Sequence, residues 1–102
     1  MEIIKVECFL QRKGNFIDRL LGNQNEVTVT GTLWQIQKAT ELFYDGKLKP
    51  SDRVTLRINW RLKSGKSYQQ VIRTSVLFLL SETADELEKT FAALIPKSVT
   101  DI

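Results

Sequence analysis

From Arg53 to Leu62, polar and apolar positions alternate without a break. Val54, Leu56, Ile58, Trp60 and Leu62 fall on one side, and Arg53, Thr55, Arg57, Asn59 and Arg61 on the other. Successive side chains of a strand point to opposite faces, so a period of two predicts a half-buried strand here. Ile3 to Leu10 alternates in the same way, with Ile4, Val6, Cys8 and Leu10 against Lys5, Glu7, Phe9 and Gln11. Gly14-Asn15 breaks that pattern. Phe16 to Leu21 fits either one helical turn or an irregular apolar loop, and Gly22-Asn23-Gln24-Asn25 reads as a turn. Glu26 to Thr30 is a short strand with Val27 and Val29 inward and Thr28 and Thr30 outward. After a hairpin connection at Lys63-Ser64-Gly65-Lys66, Tyr68 to Leu80 reads as one long returning strand.

Two segments carry helical spacing. Thr32 and Gln35 stand in the positions of a capping box, and Ile36, Ala39, Leu42 and Phe43 follow on one face. Asp45-Gly46 suits the end of that helix, and Lys47 to Ser51 is a loop around Pro50. Ser81 or Thr83 caps the last helix. Asp85 and Glu86 lie in its first turn, Ala84, Leu87, Phe91 and Leu94 form its buried stripe, and Pro96 stops it. The predicted fold is α+β, a single compact domain over 1–102 in the order ββαββα. Its natural form is a mainly antiparallel four-stranded sheet with two helices on one face. Residue identity between the halves is too thin to make them a repeat.

Composition narrows the class. The chain has 102 residues, 42% of them hydrophobic, enough for a core without disulfides or metals. Cys8 is the only cysteine and there is no histidine. An intramolecular disulfide, a Cys/His zinc site, a Ser-His-Asp triad and a Cys-His pair are all excluded. No signal peptide is expected at Met1-Glu2-Ile3-Ile4-Lys5. The longest apolar run, Val76 to Leu80, is far too short for a membrane span. These features point to the cytoplasm, with no membrane, metal or cofactor implied. Net charge is +3, but it is unevenly laid out. Lys47 to Arg73 holds eight basic residues and one acid, whereas Ser81 to Ile102 holds five acids and two bases.

The candidate chemistries are few. Asp85, Glu86 and Glu88 form the one acidic cluster, which is better explained by the helix dipole than as a magnesium site. Cys8 on an apolar strand face reads as a small buried hydrophobe. Ser64-Gly65-Lys66-Ser67 resembles the tail of a phosphate-binding loop. However, Trp60 stands where that loop needs glycine, and a strand follows where it needs a helix. No catalytic residue is assigned, and the reading leans away from an enzyme.

Two interaction surfaces remain. Arg53, Arg57 and Arg61 share one strand face, with Arg73 on the neighbouring strand and Lys63 and Lys66 at the hairpin tip. Such a stripe can track a phosphate backbone, with Phe9 and Tyr68 as candidate stacking aromatics. Trp60 falls inward in this register. The chain carries no RNA-recognition-motif or KH signature. The second surface is apolar. Val71, Leu77 and Leu79 point away from Ile72, Val76 and Phe78 if the fourth strand is continuous, and Phe9 adds to them. That set suggests an oligomer interface. The leading expectation is therefore a small non-catalytic interaction or assembly module that presents a sheet face and forms a homo-oligomer, with a protein partner as a variant. The alternative is a nucleic-acid-binding protein using residues 53–73.

Overall fold

The computed structural model describes residues 1–11, 26–44 and 52–100. Its elements are β1 (Glu2–Gln11), β2 (Glu26–Gly31), α1 (Leu33–Tyr44), β3 (Arg53–Arg61) and β4 (Ser67–Ser75), followed by three short helices. These are α2 (Val76–Ser81), α3 (Ala84–Ala93) and α4 (Lys97–Thr100). The four strands form one antiparallel sheet in the order β2-β1-β3-β4. β2 and β3 are both antiparallel to β1 and so run the same way as each other, and α1 carries the chain across from one side of β1 to the other.

Register explains the core. Cys8 lies opposite Val29 on one side and Leu56 on the other, and Leu10 opposite Val27 and Val54. Cys8, Leu10, Val54 and Leu56 join Leu33 and Ile36 of α1, Val76 and Leu79 of α2, Leu87 and Phe91 of α3, and Ile95 in one hydrophobic cluster. Val29 packs against it, whereas Val27, expected inward, stays 37% exposed on the outer strand β2. All the helices that bury residues there therefore cover the same face of the sheet. Among the described residues, no helix is long and apolar enough to cross a membrane.

The caps form as the residue types dictate. The Thr32 amide donates to Gln35 Oε1 at 2.9 Å while the Gln35 amide donates to Thr32 Oγ1 at 3.1 Å. Thr83, not Ser81, caps α3, in a reciprocal pair with Glu86. The β3–β4 hairpin closes with the Gly65 amide on the Leu62 carbonyl at 2.9 Å and the Leu62 amide on the Lys66 carbonyl at 2.8 Å. Gly65 has φ +87°, a conformation that glycine adopts without a Cβ clash. This is a hairpin turn and not a strand-to-helix phosphate loop.

Four expectations need correction. β4 stops at Ser75, and Val76 to Ser81 is helix. Ser75 Oγ accepts from the Phe78 amide at 3.2 Å, and the Val76 amide donates to the Asp52 carbonyl at 3.0 Å, which pins the helix start against the start of β3. Among the residues of α1 whose side chains are described, the buried stripe is Leu33, Ile36, Gln37 and Thr40, while Leu42 is 82% exposed; Phe43, also expected in the stripe, lies outside them. Gln37 and Thr40 are tolerated inside because both are bonded. Gln37 Nε2 donates to the carbonyls of Leu79 (3.0 Å) and Glu82 (2.7 Å), and Thr40 Oγ1 to that of Ile36 (2.7 Å). Leu94 is exposed where the chain leaves α3, and Ile95 is buried in its place. On β1 a bulge between Ile3 and Lys5 turns Ile3 toward Trp60 and leaves Ile4 exposed. The predicted breaks and turns at Gly14-Asn15, Phe16 to Leu21, Gly22 to Asn25, Asp45-Gly46 and Lys47 to Ser51 lie outside the described residues.

Candidate nucleic-acid interface on the outward sheet face

The side of the sheet away from the helices is polar. β3 directs Arg53, Arg57 and Arg61 to it, with Thr55 and Asn59 half-buried between them. This follows from the alternation, since burying Val54, Leu56, Ile58 and Trp60 forces the intervening residues outward. On β4, Arg73 lies opposite Thr55 and Val71 opposite Arg57. Arg73 therefore stands diagonally between Arg53 and Arg57, with Cα separations of about 7–8 Å. On β1, Lys5 lies opposite Asn59, Glu7 opposite Arg57 and Phe9 opposite Thr55. Among the described residues, no helix packs on this face.

Its charges are only partly compensated. Arg61 Nη1 lies 3.3 Å from Glu2 Oε1, and Lys5 Nζ 3.7 Å from Glu7 Oε1. The first pair is exposed and the second partly so, a setting in which ion pairs stabilise little and exchange readily with other partners. The guanidinium of Arg57 lies over the Phe9 ring, 5.4 Å from its centroid. Lys63 and Lys66 are exposed beyond Arg61 at the hairpin tip, so the cations run from one end of β3 to the other, about 26 Å for an eight-residue step.

The expected site residues are thus divided. Arg53, Arg57, Arg61 and Arg73 share one face, and Lys63 and Lys66 extend it at one end. Phe9 is on that face. Tyr68 is not, because it lies opposite Trp60 and packs against the core. The expected apolar interface is dispersed. Only Val71 and Phe9 lie on the outward face. Leu77 is exposed on α2, and Leu79 is buried at 0% exposure in the core, because the strand ends before both.

Sequence reasoning missed a second feature. Trp34 is 59% exposed at the start of α1, with Lys38 Nζ 5.7 Å from its ring centroid. Its exposure follows from the phase of the helix, since Trp34 falls outside the stripe of Leu33, Ile36, Gln37 and Thr40. It borders a groove of about 490 Å³ whose walls include Ile3, Ile4, Leu33, Asp85 and Glu88. Comparison of the chain with protein-family models, curated proteins and solved structures returned no match.

Proposed function

We propose that this protein binds single-stranded nucleic acid across the outward face of its sheet. The reading rests on one observation: among the residues whose side chains are described, that face carries Arg53, Arg57, Arg61, Arg73 and Lys5 against Glu2 and Glu7, with every described helix that packs on the sheet lying on the other side. Guanidinium groups bind phosphate oxygens bidentately and stack on bases, and an open sheet offers them a flat platform. Phe9 under Arg57 supplies the aromatic surface that single-strand binding uses. A self-associating sheet face has less support, because its apolar residues are scattered between face, helix and core.

The test is a fluorescence-anisotropy titration with labelled single-stranded RNA, single-stranded DNA and duplex DNA at two salt concentrations. The expected result is micromolar or tighter binding to single strands that weakens steeply with salt. The Arg57→Ala/Arg73→Ala variant should lose about tenfold or more in affinity. It should also lower the log-log salt slope by roughly 1.4, about 0.7 for each phosphate contact removed from a single strand. Absence of binding at low salt would overturn the proposal.

A further inference from the structure

β1 begins at Glu2, but its pairing with β2 begins only at Val6, opposite Gly31, where the chain turns into α1. Glu2 to Lys5 therefore pair with β3 on one side and with no strand on the other among the described residues. The groove beside Trp34 lies along that open edge, and Ile3, Ile4 and Lys5 form part of its wall.

The bulge falls within this segment and decides which way its side chains face. In a regular strand, residues three apart point to opposite faces. Here Ile4 is the extra residue, so Glu2 and Lys5 both lie on the outward face, as their partners Arg61 and Asn59 do. Ile3 and Ile4 both line the groove. Placed antiparallel to itself, Glu2-Ile3-Ile4-Lys5 is then self-complementary on both faces. Glu2 meets Lys5 of a second copy on the outward side, and Ile3 meets its Ile4 on the groove side.

We propose that two copies of this chain pair edge to edge through Glu2 to Lys5, about a two-fold axis perpendicular to the sheet. Such an interface is isologous, because each contact occurs twice. A bulge at a free edge ordinarily discourages pairing. This one instead sets opposite charges against each other and brings apolar side chains together in the groove. Single copies leave Ile4 48% and Trp34 59% exposed, and the second copy covers them. The existing pairs leave Glu2 and Lys5 themselves exposed, so both can be shared with a second copy. The two outward faces would end on the same side. The inference does not depend on nucleic-acid binding.

Sedimentation equilibrium of the protein alone, from micromolar to millimolar concentration, tests it. The average mass should rise from 11.7 kDa toward twice that value. Glu2→Lys sets lysine against lysine and Lys5→Glu sets glutamate against glutamate, so each should weaken self-association about tenfold or more. An equimolar mixture of the two variants should regain it, as should the double variant Glu2→Lys/Lys5→Glu. Circular dichroism should show all of them folded, since both positions are exposed. Three outcomes would overturn the proposal: a monomer throughout the range, self-association unchanged by both single variants, or weakening that neither the mixture nor the double variant restores. Because nucleic acid is absent, this failure is separate from failure of the anisotropy test.

Discussion

Cys8 lies inward between Val29 and Leu56, and burial pushes its thiol up to about 12, from 9.0 for an exposed cysteine. At neutral pH it is a protonated, unreactive part of the core. Above about pH 9 the unfolded chain releases this proton while the folded chain keeps it, so stability must fall as pH rises. The thiol's contribution is about 1.4 kcal/mol per pH unit between about pH 9 and 12. Denaturant unfolding across that range should show a steeper decline for the parent than for Cys8→Ala. Parallel slopes would mean that the thiolate is tolerated in the fold. The residue's role was legible in the sequence because strand alternation alone puts Cys8 among Val6 and Leu10. Trp34 was harder, since an aromatic next to Leu33 looks like core until the phase of the helix is known. That phase is set by Gln37 and Thr40, polar residues whose burial depends on carbonyls 42 residues away or one turn back.

The elements are joined by a small polar bridge at Gln70. Its Oε1 accepts from Trp60 Nε1 at 2.8 Å, and its Nε2 donates to the Phe91 carbonyl at 2.8 Å, so one amide ties β3, β4 and α3 together. Gln70→Ala would leave a buried indole N–H and a buried carbonyl without partners, at a cost of about 2–4 kcal/mol. Urea unfolding should show a lower midpoint with little change in slope, and a loss under about 1 kcal/mol would mean that water takes the amide's place. β3 was legible in full because a one-residue slip would reverse every side chain of an unbroken alternation. The end of β4 was not. Val76-Leu77-Phe78-Leu79-Leu80 is apolar at every position, so neither a period of two nor one of 3.6 stands out. The Ser75 hydroxyl and the Asp52 carbonyl settle it, and the second of these is a tertiary contact.

At the scale of the molecule, the charge layout read from the chain becomes a spatial one. Of the basic middle segment, Arg53, Arg57, Arg61 and Arg73 occupy the outward sheet face and Lys63 and Lys66 the hairpin tip, and the acids of α3 lie on the helical side. Like charges concentrated on one face repel, so they are not there to hold the fold together. Arg73→Gln should leave the protein at least as stable as the parent, with a slightly higher thermal midpoint at low salt and no difference at high salt. A marked loss of stability would instead make Arg73 a structural member of the sheet. Strand order was beyond the sequence, because alternation says which face is buried but not which strand is the neighbour. The observed order places β1, which precedes β2 and β3 in the chain, between the two. One flank of β1 can close early, against β2, through the segment that joins them. Its longer ladder, against β3, joins residues about fifty positions apart in the chain and so carries a larger loop-closure entropy. A chain emerging from the ribosome therefore holds its future central strand with one side open until the middle of the sequence has been made. During that interval the inward stripe of Val6, Cys8 and Leu10 lacks its partners on β3, and this is when the chain is most exposed to aggregation.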